Sequence, residues 1–203
     1  MKLYITEGSP YGRIARVVVI EKGLESRVEV IAAKTRVADS PYYAINPSGR
    51  VPYLIRDDGA GLEESALICA YLDRLDGEPI FDLPPGEAGW EARRLEALAR
   101  SMMDGLAVWS REIKRPANER SPTTLEHEAR RSERFADLWE REIDHPYLQG
   151  TLNMAQITLA CALGLEARNP HLQWRPGHPR LSRWFDRIAE RGSFKATAAP
   201  APR

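Results

Sequence analysis

Apolar positions along this chain follow two different rhythms, and the change between them divides it. Over residues 1–78 short apolar runs alternate with turn signals. Lys2 to Ile5 reads as a strand, and Ser9-Pro10 opens a helix, with Ser as cap and Pro at the first helical position. Ile14, Val17 and Val18 form the apolar stripe of that helix, and Gly23 closes it. Val28 to Ala32 reads as a second strand. Asn46-Pro47-Ser48-Gly49 is a turn, Tyr53 to Arg56 a third strand, and Asp57-Asp58-Gly59 reverses the chain into a short fourth around Leu62-Glu63. Ser65 then caps a helix carrying Ile68, Leu72 and Leu75. The order βαβ, loop, ββα predicts a compact α/β domain.

Residues 79–89 break the pattern. Leu83-Pro84-Pro85-Gly86 follows Asp76-Gly77-Glu78-Pro79, a turn-rich stretch suited to a linker. From 90 to 203 the period is helical, which predicts an all-α second domain. Trp90 to Lys114 is one long helix ending before Arg115-Pro116, and Ser121-Pro122 starts another that runs to about Ile143. Asn153, with Gln156 three residues on, has capping-box chemistry; Ile157 to Leu165 behind it is nearly all apolar, as a central buried helix requires. Pro179 to Arg191 gives an amphipathic helix with Leu181, Trp184, Phe185 and Ile188, and Ala196 to Arg203 reads as a frayed tail.

Composition narrows the class. Among 203 residues Lys plus Arg and Asp plus Glu each number 29, so no net charge points to nucleic acid or an anionic membrane. Glu7 interrupts the start before any long apolar run, as no signal peptide allows, and runs such as Val17-Val18-Val19-Ile20 are too short to span a bilayer. Cys69 and Cys161 sit in apolar helical patterns, as buried free thiols do. A cytoplasmic protein is the expectation.

Three short segments carry candidate chemistry. Ser9-Pro10-Tyr11-Gly12 lies between the first strand and first helix, where thioredoxins carry Cys-Pro-x-Cys; without either thiol no dithiol exchange is possible there. A hydroxyl remains at a helix N-terminus that favours an anion, and the same Ser9 serves equally as a plain cap. Pro52, just ahead of a strand, reads either as a cis proline or as an ordinary trans turn residue. Glu63-Glu64-Ser65 suits a helix start with or without a ligand. The four histidines, His127, His145, His171 and His178, are scattered and give no metal cluster or triad. The five tryptophans, Trp90, Trp109, Trp139, Trp174 and Trp184, suit core or interface.

In register, these segments resemble a known family. Ser9-Pro10-Tyr11, Ile45-Asn46-Pro47-Ser48-Gly49-Arg50-Val51-Pro52 and Glu64-Ser65-x-x-Ile68-x-x-Tyr71-Leu72 are similar to the N-terminal domain of a bacterial glutathione transferase with a serine at the catalytic position. The likeness continues through Gly150-Thr151-Leu152-Asn153-Met154-Ala155-Gln156 and His178-Pro179-x-Leu181-x-x-Trp184-Phe185. It implies a thioredoxin-like N-terminal domain and a helical-bundle C-terminal domain. It also implies that Ser9 donates its O–H to the glutathione thiolate, that Val51 pairs through its backbone with the cysteinyl part, and that Pro52 is cis. Glu64 and Ser65 then hold the γ-glutamyl end, while Arg50 reaches the glycyl carboxylate. Tyr11, Met103 and Ala107 line the electrophile pocket, with Met102 and Trp109 on the same helix. Plain bundle core remains open for these last residues, and a solvated carboxylate for Asp104. Glutathione is thus the expected cosubstrate, a small hydrophobic electrophile the partner, detoxification the setting and a homodimer the assembly, with no metal, nucleic acid or membrane. Glutathione-dependent peroxidase, dehalogenase and isomerase chemistry stay open, as does non-catalytic binding on the same fold. The family's usual Ser or Thr with Asp at the buried helix start is replaced by Asn153 and Gln156, which implies the same reciprocal cap without its charge.

Overall fold

A computed structural model describes residues 1–81 and 84–198. These fall into two compact units, one made of residues up to 81 together with 192–198, the other of residues 84–191. In the first unit the chain runs β1 (Lys2–Ile5), α1 (Pro10–Glu21), β2 (Glu29–Ala32), α2 (Tyr42–Ile45), β3 (Tyr53–Ile55), β4 (Gly61–Glu63) and α3 (Ser65–Asp73). The strands form one mixed sheet in the order β2-β1-β3-β4. β1 and β2 are parallel, with Leu3 opposite Val30, whereas β1–β3 and β3–β4 are antiparallel.

Local chemistry accounts for most of this unit. Ser9 caps α1, and Gly23 at φ 62° ends it while Leu24 N–H returns to the Val19 carbonyl at 2.9 Å. The stripe Ile14, Val17 and Val18 is fully buried with Leu3, Leu54, Ile68 and Leu72, so α1 and α3 share one core against the sheet. The cap of α3 is not Ser65 but Glu64, whose side chain makes no capping bond; Ser65 is instead the first helical residue and buried. A last short helix, α9 (Gly192–Ala196), belongs to this unit and packs on α1. Arg13 ties it down, donating to the Phe194 carbonyl at 3.1 Å and to Thr197 Oγ1 at 3.4 Å. The frayed tail expected from Ala196 therefore does not begin there, since Thr197 is buried; residues 199–203 lie outside the described residues.

The second unit is helical: α4 (Glu87–Ile113), α5 (Pro122–Glu142), α6 (Pro146–Gln149), α7 (Met154–Leu163) and α8 (Pro179–Ala189), with 3₁₀ turns at Ala117–Glu119 and Gly164–Arg168. α4 starts three residues before Trp90, and of the expected linker residues 82–83 lie outside the described ones. Every residue of α7 is buried, packed against α4. The capping box is present: Asn153 Oδ1 accepts from Gln156 N–H and Gln156 Oε1 from Asn153 N–H, each at 3.1 Å. Trp139, Trp174 and Trp184 are core, and the latter two direct their indole N–H to the carbonyls of Leu163 and Leu148. Trp90 differs, at 67% exposure. Cys69 and Cys161 are buried and not joined in a disulfide. Among the described residues no helix is long and apolar enough to cross a membrane.

Candidate functional site

Sheet topology gathers the three candidate segments. β1 runs opposite to β3, so the C-terminal end of β1, which leads to Ser9, lies beside the start of β3, where Pro52 stands. β4 runs opposite to β3 in turn, with Glu63 opposite Tyr53, so Glu64-Ser65 leaves the sheet at that same end. Segments separated by more than fifty residues thus share one rim of the sheet.

At this rim Ser9 has extended backbone, φ −79° and ψ 117°, and its Oγ accepts from Gly12 N–H at 3.0 Å. Only an oxygen lone pair is used in that bond. The hydroxyl proton remains available to an acceptor, and the helix N-terminus favours an acceptor that is negative. Capping and donation are therefore compatible in one residue. Tyr11, the second residue of α1, is half-buried and close to Ser9 in sequence.

The Val51–Pro52 peptide bond is cis. The carbonyl just before Val51, that of Arg50, accepts from Tyr42 Oη–H at 2.5 Å and from Asn46 Nδ2–H at 3.0 Å. Both donors are buried, and burial pushes the Tyr42 phenol above its ordinary range, which keeps it a proton donor. Asn46 Oδ1 meanwhile accepts from Ser48 N–H at 3.1 Å, closing the turn from the other side. Gly49 completes it at φ 64°, where a Cβ would stand 2.8 Å from the Tyr43 ring. Among the described residues, neither the N–H nor the C=O of Val51 has a backbone partner. The Tyr42–Asn46 clamp was missed in the sequence, where Asn46 is read only as a turn former.

Glu64 holds φ 74° and ψ 122°, a conformation that costs a non-glycine residue about 1–3 kcal/mol. Arg50 Nη1 stands 3.6 Å from Glu64 Oε1, both side chains being well exposed, and Ser48 Oγ donates to Glu63 Oε1 at 2.8 Å. A cation, a carboxylate and the N-terminus of α3 are thereby collected beside the Val51 backbone, a set suited to a zwitterionic, peptide-like ligand.

The remaining candidates lie on α4 in the second unit. Met102 and Met103 are fully buried, Ala107 and Trp109 half-buried, and Asp104 is exposed.

Comparison with known proteins bears on both units. Residues 3–80 match the family model for the N-terminal domain of glutathione S-transferase, and residues 122–187 that for the C-terminal domain. An uncharacterised GST-like protein of Escherichia coli K12, YibF, is 30% identical over 202 residues, covering 98% of this chain and 99% of its own. A glutathione transferase family member from Pseudomonas fluorescens Pf-5 with bound S-(propanoic acid)-glutathione superposes with a TM-score of 0.86 at 32% identity, over 99% of this chain and 100% of that one. A glutathione S-transferase from Methylobacillus flagellatus with GSH bound gives 0.86 at 30% identity, over 98% and 99%.

Proposed function

The chain belongs to the glutathione S-transferase family, and from that premise we propose that it is an enzyme in which glutathione sulfur attacks a small hydrophobic electrophile. The observation that carries the reading is Ser9 Oγ, held at a helix N-terminus by Gly12 N–H with its own proton to give. An unperturbed thiol has a pKa near ~8.5 and is mostly protonated at neutral pH. Ser9 donates to the sulfur and favours the thiolate, whose proton goes to solvent. The sulfur then forms a bond to the electrophilic carbon, and the leaving group departs with the electron pair.

The other residues hold the substrate. Val51, which precedes the cis Pro52, offers backbone N–H and C=O to the cysteinyl unit. Glu64 takes the γ-glutamyl amino group, Ser65 and the start of α3 its carboxylate. Arg50 is the cation for the glycyl carboxylate. Tyr11, Met103 and Ala107 form the electrophile pocket. The protein works as a cytoplasmic homodimer in detoxification, and glutathione is a cosubstrate rather than a bound cofactor.

Retention on glutathione-agarose followed by turnover of an electrophile panel tests the reading. Ser9→Ala, assayed as rate against pH with ultraviolet difference spectra of bound thiolate, tests the mechanism. Retention without turnover of any electrophile sinks the enzymatic reading; equal thiolate signals in variant and wild type sink the role of Ser9.

A further inference from the structure

The face of α4 that carries Met103 and Ala107 continues to a pair of cations. Met103, Ala107 and Lys114 fall within about 40° of one another around the helix axis, and Lys114 stands about 10 Å beyond Ala107 along it. Ser110, on the flank of this face, donates to Asn169 Oδ1 at 2.7 Å in a buried bond. Asn169 Nδ2 donates in turn to the Leu165 carbonyl at 2.9 Å, so the end of the 3₁₀ turn Gly164–Arg168 is pinned to the last turns of α4. Arg168 is thereby brought up to Lys114, one helical turn beyond Ser110. Its Nη1 is buried and has no hydrogen-bond partner among the described residues, a state native proteins rarely leave without a water or an ion. Burial, then the Arg168 charge, pushes the Lys114 ammonium below its ordinary range. The carboxylates nearest in sequence are engaged elsewhere. Glu112 accepts from Ser121 N–H at 2.6 Å, Glu119 faces Arg115 at 3.5 Å and Glu166 faces Arg175 at 2.7 Å. Among the described residues neither Lys114 nor Arg168 is in an ion pair.

We propose that Lys114 and Arg168 form the far end of the electrophile pocket and select an elongated electrophile that ends in a carboxylate. The assignment rests on the reading of Met103 and Ala107 as pocket residues and adds a substrate class to it. The apolar chain of the electrophile lies along α4 past Ala107, and its carboxylate supplies the counter-charge that the two cations lack. Lys114 is exposed, so the anion enters from solvent beside it, and Arg168 gains an acceptor. A neutral electrophile of the same length leaves both cations unpaired.

The test compares 8-iodooctanoate with its neutral amide, 8-iodooctanamide, as substrates of the full-length protein. In each, glutathione sulfur forms a bond to the terminal carbon, and iodide leaves with the electron pair of the broken C–I bond. The two products, S-(7-carboxyheptyl)glutathione and S-(7-carbamoylheptyl)glutathione, are compared separately as ligands by calorimetry. Wild type should favour the carboxylate at least about tenfold in kcat/KM and in affinity, the effect of one charge-assisted hydrogen bond. Lys114→Gln and Arg168→Gln should each lower both ratios, and the double variant should bring them close to one. Products that bind wild type equally well, or a preference that survives the double variant, would overturn the assignment and leave the glutathione reading standing. Turnover of neither substrate, with the carboxylate product still bound preferentially through Lys114 and Arg168, would sink the enzymatic reading and keep the anion site. A wild type that binds neither product would overturn both.

Discussion

Two residues at the rim of the sheet carry opposite kinds of cost. Ser9 caps α1 by accepting from Gly12 N–H; with its proton given to sulfur as proposed, removing the hydroxyl should cost about 1 kcal/mol of stability, leave the fold in place and damage the chemistry. Losing one hydrogen bond to a charged sulfur is worth about 1.5–3 kcal/mol, or ~1–2 units of thiol pKa. Conjugation by Ser9→Ala near neutral pH should fall by roughly ten- to a hundredfold and recover in part as pH rises. Glu64 pays in backbone conformation, since φ 74° crowds its Cβ. Glu64→Gly should therefore raise stability by about 1 kcal/mol in chemical denaturation, set against glycine's own entropy. Glutathione affinity should drop in the same variant, because the carboxylate is gone. A variant both less stable and undiminished in affinity would remove Glu64 from the site.

Among the elements, the junction of α1 with α3 rests on buried charge. Lys22, whose side chain is 2% exposed, lies 3.6 Å from Asp73 and 2.8 Å from Asp76. Asp73, equally buried, accepts from the N–H groups of Ile80 and Phe81 at 2.9 and 3.0 Å. Asp73→Ala strands both N–H groups and half of the Lys22 environment, and urea unfolding should show a loss of about 3 kcal/mol. Asp76 behaves differently because it is exposed. The hydrogen bond from Lys22, then that from Glu78 N–H, holds its carboxyl below the ordinary range. A lowered folded pKa means stability that is present above the unfolded carboxylate pKa and lost as pH falls through the folded one. Asp76→Asn should thus be less stable than wild type at pH 6, with the difference shrinking below about pH 4. A difference that stays constant down to pH 2 would show that the ion pair is not its source.

For the molecule as a whole, the open quantity is assembly. Trp90, on α4, is the largest apolar side chain left exposed among the described residues, and Arg93 lies 5.5 Å over its ring. Such a residue is costly to leave in water and is enriched at interfaces. Sedimentation velocity at micromolar concentration should give a species of twice the 22.9 kDa chain mass. Trp90→Ala should shift that equilibrium toward monomer, and a wild-type monomer would refute the homodimer outright.

Sequence alone determined what depends on near neighbours. The two apolar rhythms, the Ser9 and Asn153 caps, and the turn at Asn46-Pro47-Ser48-Gly49 are all settled within a few residues, and each was readable. The short helices α2, α6 and α9 were not, because one turn or little more offers no period to detect and tertiary packing stabilises it. Glu64 looked like an ordinary helix-start carboxylate; its left-handed backbone follows from how β4 must turn into α3 at the rim. The Tyr42 and Asn46 donors converge on the Arg50 carbonyl only after the loop folds back, and Arg13 finds Phe194 across 181 residues. Local hydrogen bonding leaves a mark in the sequence because both partners lie within one turn. Where the partner of a buried polar group is distant, the sequence shows the group and only the tertiary structure decides what satisfies it.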